Sequence, residues 1–348
     1  MELRTLGRTG VKVTPLCLGT MMFGAWGNTD HDESVRIIHR ALDAGINFVD
    51  TADVYAQGES EVIVGKALAG GKRDQVVLAT KVYNPMSDDP NQRGNSRRWI
   101  IQEVEASLRR LQTDWIDLYQ IHRWDPETDH EETLGALTDL QRAGKIRSFG
   151  SSTYPPSAIV EAQWTAERRG LARFVCEQPP YSILARGIET EVLPTCKRYG
   201  MGVLSWSPLA GGWLSGRFRK GTEPTSHRGD RLPERYDLSL PGNQQKLDAV
   251  EQLALLAEQA GISLIHLSLA FVIRHPDITS AIIGPRTLEH LEGQLGAVDL
   301  QLSDDVLNAI DAIVPPSTNP NPADSGWSPP HLDDPGQRRR RPSDATLS

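Results

Sequence analysis

A closed (β/α)8 barrel, a TIM barrel, is the fold class that the sequence predicts, on three observations. Short apolar runs of strand length recur from Leu16 onward, and there are eight of them. Segments with the 3.6-residue period of amphipathic helices lie between them. No Pro/Gly/Ser-rich break divides the middle of the chain, as two α/β half-domains would require. At 348 residues and 39% hydrophobic, the chain is long enough for one large barrel.

The elements follow in order. Residues 3 to 15, "LRTLGRTGVKVTP", read as an N-terminal β-hairpin across the barrel bottom, with Gly10 in or near the turn. The strand candidates are "PLCLG" (15–19), "INFVD" (46–50), "QVVLATK" (75–81) and "WIDLYQIH" (115–122). They continue with "IRSFGSS" (146–152), "RFVCEQ" (173–178), "MGVLSW" (201–206) and "ITSAIIG" (278–284). Helical patterns cover 32–45, 96–112, 130–144 and 156–170, and three of these stop at Gly45, Gly144 and Gly170, where a left-handed cap is cheap. After the seventh strand, residues 207–241 form a long loop rich in Gly, Arg and Pro, a length that marks a functional or disordered segment. The barrel domain is expected to span 1–314. Residues 315–348, with their Pro, Asp, Ser and "RRRR", are expected to wrap loosely or stay disordered.

Bulk properties narrow the function classes. A net charge of -8 argues against a nucleic-acid surface. The first residues, "MELRTLGRTG", lack an apolar h-region, and no run of about 18 apolar residues occurs, so no membrane association and a cytoplasmic location are expected. Three widely spaced cysteines, Cys17, Cys176 and Cys196, do not suit a disulfide framework, and no Cys/His spacing fits a metal site.

Barrel enzymes collect their chemistry where strands give way to the following helices. The second strand delivers Asp50 there, with Tyr55 in its loop; the third ends on Lys81 and the fourth on His122. Taken singly, each suits a structural role: a cap, a half-buried aromatic, a satisfied polar group. Together they make a catalytic set. An ammonium beside a phenol stabilises the phenolate and should lower its pKa from about 10. Asp50 can charge-balance the buried lysine, and His122 can hold a carbonyl oxygen by a hydrogen bond. Such a group protonates an oxygen that is gaining negative charge, as hydride addition to a carbonyl creates.

The chain resembles the aldo-keto reductases from about Leu3 to Ala297. The likeness is carried by "GINFVDTADVY", "ATK", "DLYQIH", "GKIRSFGSS", "EQPPYS", "SWSPLAGGWLSGR" and "IIGPRTLEHLEGQLGA", in the family's order and spacing. In that family an aspartate, tyrosine, lysine and histidine form a tetrad with tyrosine as general acid. These roles fall here on Asp50, Tyr55, Lys81 and His122. The "SWSPL" form of one motif is similar to that of bacterial relatives of voltage-gated potassium channel β subunits.

No G-x-G-x-x-G follows a strand and no G-x-x-x-x-G-K-[ST] occurs, so a nicotinamide cofactor rests on the resemblance. It implies a cofactor extended over the barrel top, touching Gly19, Thr20, Met21 and Asp50. Ser152 and Gln178 would hold the carboxamide, with Thr153 a further cofactor contact, and Trp206 would stack on the nicotinamide ring. Ser207, Pro208, Leu209 and Gly211, in "SPLAGG", offer close backbone approach to a pyrophosphate. Arg217, followed by Arg219 and Lys220, reads as a strap over the phosphates. Gly284, Arg286, His290 and Gln294 would serve the adenosine half. Arg286, at a helix N-terminus, suits a 2′-phosphate and favours NADPH/NADP+ over NADH. Thr153 stands where Asn is common in the family, and Gly293-Gln294 where Glu-Asn is common.

Aromatic residues near the rim are Phe23, Trp26, Tyr83, Trp124 and Trp213. Trp26 and Trp124, with Tyr55 and His122, are expected to line a pocket for a small-molecule carbonyl compound. No fixed cation dedicated to a substrate phosphate stands out. The chain is expected to reduce aldehydes or ketones, and a homo-oligomer is compatible with the sequence. One alternative is a cofactor-sensing binding subunit with little turnover, and the retained His122 ranks it lower. Another is a Schiff-base lysine at Lys81, which needs an unprotonated amine that Asp50 opposes.

Overall fold

The computed structural model describes residues 1–222 and 232–329, with Leu332, Asp334 and Gly336 beyond them. The centre of the predicted 207–241 loop and the "RRRR" run lie outside the described residues. Strands β1 (Arg4–Thr5) and β2 (Lys12–Val13) pair antiparallel as the predicted hairpin. Eight strands then close into a parallel barrel. They are β3 (Leu16–Gly19), β4 (Phe48–Asp50), β5 (Val77–Val82), β6 (Ile116–Ile121), β7 (Ile146–Ser152), β8 (Cys176–Gln178), β9 (Gly202–Trp206) and β10 (Ser280–Ile283). β10 returns to pair with β3, so the sheet has no free edge.

The outer layer begins with α1 (His31–Asp43), α2 (Glu59–Leu68), α3 (Arg97–Leu111), α4 (His130–Arg142), α5 (Pro156–Arg169) and α6 (Val192–Tyr199). It continues with α7 (Pro233–Tyr236), α8 (Pro241–Gln259), α9 (Leu264–Arg274), α10 (Leu288–Leu295) and α11 (Asp304–Ile313). Several start on a side-chain cap: Asp30, Ser96, Asp129, Ser263, Thr287 and Ser303 each accept a hydrogen bond from a first-turn N–H. Gly45, Gly144 and Gly170 take the positive φ that ends a helix. Among the described residues no single helix is long and apolar enough to cross a membrane.

Alternation along the strands sorts residues into two sets. One set packs outward against the helices. The other fills the barrel with Cys17, Phe48, Ala79, Leu118, Cys176 and Leu204, closed from below by Leu6 and Val13 of the hairpin. Gly7 is required at that closure, because a Cβ there would lie 2.3 Å from the Val175 carbonyl oxygen. One residue further along each strand's inner face, the filling turns polar: Asp50, Lys81, Gln120 and Gln178. That change of layer positions the site.

The chain after Pro315 departs from expectation. Its first part is docked: Asn321 and Asp324 are buried, and Pro322–Ser325 forms a 3-10 turn against the barrel top. Asp324 pairs with Arg235 at 2.6 Å and Lys246 at 2.8 Å, which gives this Pro-rich segment a reason to settle. The composition that suggested a loose tail missed these two charges on α7 and α8.

Candidate active site

Register brings the first pair together. Asp50 ends β4 opposite Ala79 of β5, and Lys81 is the next inward residue on that strand. Lys81 is fully buried, so its charge must be matched internally or lost. An ammonium has three N–H donors, and all three find acceptors. Asp50 Oδ1 lies at 2.5 Å, the Thr51 carbonyl at 2.8 Å and the Tyr55 hydroxyl at 3.2 Å. Burial is the largest single influence on Lys81 and works to lower its pKa. The Asp50 charge, then Tyr55 and the hydrogen bonds, outweigh it, so the pKa is raised. The lysine is an ammonium at neutral pH, which removes the Schiff-base reading.

Asp50 is held on its other oxygen as well. Gln120 Nε2 donates to Oδ2 at 3.1 Å and Gln178 Nε2 at 2.9 Å, and the two amides bond each other at 3.1 Å. Thr20, named as a cofactor contact, is turned into this scaffold: its hydroxyl donates to the Asp50 carbonyl and meets Ser60 at 2.8 Å.

Tyr55 reaches the site through a strained turn. Ala56 and Gln57 are both in the left-handed region, followed by Gly58 at φ +91°. Two such non-glycine residues cost about 1–3 kcal/mol each and persist only under strong constraint. The phenol stands against Trp26 (centroids 6.1 Å) and edge-on to His122 (5.9 Å), with Lys81 Nζ 4.8 Å from its ring centre. The expected lowering of its pKa is not found. Burial raises it most, Asp50 adds to the rise, and Lys81 offsets them only in part. The phenol therefore keeps its proton at neutral pH.

His122 lies just past β6, buried. Desolvation, then the Lys81 and Arg123 charges, hold its pKa well below the usual histidine range, so the ring is neutral. Asn84 Nδ2 is 3.0 Å from Nδ1, and with that amide donating, the ring proton resides on Nε2.

The remaining predicted residues fall into three groups. Ser152, Thr153, Gln178 and Trp206 form one wall. Ser152 Oγ donates to the Gln178 carbonyl at 2.9 Å, and Thr153 Oγ1 receives Trp206 Nε1 at 3.3 Å. A second group forms the rim, where Ser207, Ala210, Gly211 and Gly212 all take positive φ in the turn that includes Pro208 and Leu209. In the third, Arg217 and Arg286 both act on His290, whose pKa burial lowers first and these two charges lower further. Two arginines from distant segments thus act on one histidine of α10, whose Gln294 is buried and donates to the His290 carbonyl. Gly19 answers to packing: a Cβ there would lie 2.6 Å from the Ile282 side chain. Met21 is partly buried just past β3, and Gly284 is exposed just past β10.

Arg219 and Lys220 are not part of a strap over the site. Arg219 pairs with Glu251 (2.8 Å) and Glu258 (3.1 Å), and Lys220 with Asp248 (2.8 Å), because α8 presents an acidic row beneath them. Trp213 also leaves the rim; it is buried between Phe218 and Tyr236. Trp124, two residues past His122, is edge-on to Trp327 at 6.0 Å.

Sequence reasoning missed Gln120, Asn84, Arg123 and Trp327. Gln120 was within reach, since it is two residues before His122 on an alternating strand. Trp327 was not, because nothing local says where a terminal segment docks.

Fold and site together define a barrel enzyme whose rim carries a buried, charge-balanced lysine beside a protonated phenol and a neutral histidine. The sequence profile of the Aldo/keto reductase family matches residues 15–315, and the chain belongs to that family. It is 42% identical to "Uncharacterized oxidoreductase YrpG" of Bacillus subtilis over 337 residues, covering 94% of this chain and all of that one. "Aldo-keto reductase YhdN" of the same organism is 39% identical over 298 residues, 84% of this chain and 87% of the other. A protein of Arabidopsis thaliana named "Probable voltage-gated potassium channel subunit beta" is 34% identical over 327 residues, 90% and 97% of the two chains.

Proposed function

We propose that this chain reduces an aldehyde or ketone to the alcohol, with Tyr55 as general acid and NADPH as the reductant. The observation that carries the reading is the saturated coordination of Lys81, whose third donor is spent on the Tyr55 hydroxyl at 3.2 Å. The cofactor supplies the hydride when bound; the protein's part is to manage the charge that results. As the carbonyl oxygen gains negative charge, His122 Nε2–H steadies it and Tyr55 gives it a proton. The phenolate left behind is stabilised by the ammonium of Lys81, and Asp50 keeps that ammonium charged. A raised phenol pKa suits this order, because Tyr55 enters each cycle protonated.

The residues present fit a nicotinamide dinucleotide phosphate. Trp206 would stack on the nicotinamide, with Ser152, Thr153 and Gln178 at its carboxamide. The turn of Ser207, Pro208, Leu209 and Gly211 would take the pyrophosphate. The grouping of Arg217 and Arg286 about His290 supports a 2′-phosphate, since the two guanidinium charges that lower the His290 pKa also raise the local potential for a dianion. A cofactor-sensing binding role draws support from the Arabidopsis relative's name, but the complete set of Asp50, Tyr55, Lys81 and His122 favours turnover.

Quenching of tryptophan fluorescence by NADPH and by NADH tests the cofactor assignment. NADPH is expected to bind at least about tenfold more tightly, and Arg286→Ala to remove most of that difference, the size of one charge-assisted contact. Equal affinities in the wild type, or an equal loss for both nucleotides in the variant, would refute the 2′-phosphate contact.

A further inference from the structure

Arg123 takes no part in the proton transfer, yet it sits among the groups that perform it. It follows His122 directly, and its positive charge acts on Tyr55 and His122 and on Tyr83. A guanidinium has five N–H donors. Both of its hydrogen bonds among the described residues come from one nitrogen: Nη1 donates to the His122 carbonyl at 3.0 Å and to Thr153 Oγ1 at 2.8 Å. The Nε and Nη2 edge has no partner among the described residues, and no carboxylate among them forms an ion pair with it. The acids nearby in the fold are engaged elsewhere. Glu177 accepts from Ser151 and from the Tyr154 N–H, while Asp125 accepts from Asn95, Glu127 and Thr128.

We propose that Arg123 anchors the substrate: the carbonyl compound reduced here carries a carboxylate, which forks onto the Nε and Nη2 edge of this guanidinium. The inference rests on the reductase reading and specifies its substrate class. Charge balance at the site supports it. Asp50 neutralises Lys81 at 2.5 Å and His122 is neutral, while buried Glu177 acts on Arg123 only through space and forms no ion pair with it, so the open edge of the guanidinium keeps its donors for an anion. The open edge presents parallel N–H donors, the geometry a planar carboxylate accepts in bidentate fashion. A single guanidinium matches a monoanion; a phosphate dianion would call for a second cation, and the ammonium of Lys81 has no donor to spare. A purely structural arginine holding Thr153 would need only the Nη1 nitrogen. Trp124, the residue after Arg123, is edge-on to Trp327, and Trp26 packs against Tyr55, so aromatic faces accompany this charge in the site.

The test compares 3-carboxybenzaldehyde with its carboxamide, which matches it in shape and lacks the charge. The wild type should prefer the carboxylate in kcat/KM by at least about tenfold, as a charge-assisted fork provides. Arg123→Gln should bring that ratio to near one, and Arg123→Lys should retain part of it. A ratio near one in the wild type, or one that survives in Arg123→Gln, would overturn the proposal. Benzoate and benzamide, titrated by tryptophan fluorescence, give a second readout that does not depend on turnover. Tighter benzoate binding that disappears in Arg123→Gln supports the anchor even if no aldehyde is reduced, in which case the reductase reading alone fails. Equal binding of benzoate and benzamide by the wild type refutes the anchor whatever the turnover.

Discussion

The inner layer of the site and its rim are held by different means. Asp50, Lys81 and Gln120 project inward from three successive strands and Gln178 reaches them across the closed barrel from β8, so the strands alone bring bonded pairs among them within 2.5 to 3.1 Å. The rim is held by contacts between segments far apart in the chain. Asp324 of the terminal segment pairs with Arg235 of α7 and Lys246 of α8. Lys246 in turn lies 4.3 Å from the Trp213 ring, and Tyr236 donates to the Gly211 carbonyl at 2.9 Å. The same segment brings Trp327 to Trp124. The inner layer is thus as rigid as the sheet, whereas the rim depends on one buried ionic latch.

Breaking each arrangement should have different consequences. Asp50→Asn leaves the Lys81 ammonium buried without a counter-ion, which is expected to cost about 3–5 kcal/mol. Urea denaturation would measure that loss, and turnover should fall with it; a variant as stable as the wild type would contradict the charge-balance argument. Asp324→Asn should cost less, about 1–3 kcal/mol: Lys246 is as buried as Lys81, but burial already lowers its pKa so that it can shed its proton, Arg235 is partly exposed and the terminal segment can withdraw. Its effect should appear mainly in nucleotide affinity and in the accessibility of Trp327, leaving the inner layer in place. Denaturation together with an NADPH titration would show this. If Asp324→Asn left both unchanged, the latch would have no energetic meaning.

The same contrast explains what was legible in the sequence. Period-two alternation fixes which residues of "DLYQIH" and "INFVD" face inward, so Asp50, Lys81 and His122 could be placed from local pattern and strand order. The hairpin and the helix-ending glycines were legible for the same reason, since turn chemistry is local. Loops carry no such period. Arg219 and Lys220 looked like a phosphate strap because they follow a glycine-rich turn, but the acidic row of α8 claims them. The direction of the Tyr55 shift was missed because a neighbouring ammonium is visible in a motif and burial is not. Trp327 and Asp324 were invisible for a different reason. Their importance lies in tertiary docking of a segment whose composition suggests a loose tail.

The central claim is that Tyr55 donates the proton from a position where Lys81 stabilises the phenolate. Tyr55→Phe removes one hydroxyl and keeps the ring packed against Trp26 and His122. Steady-state reduction of an aromatic aldehyde, with the NADPH affinity measured on the same preparation, tests this most directly. The predicted result is a kcat lower by about 10²–10⁴, the range of a lost general acid, with nucleotide binding retained. A variant that binds NADPH normally and turns over at the wild-type rate would contradict the account.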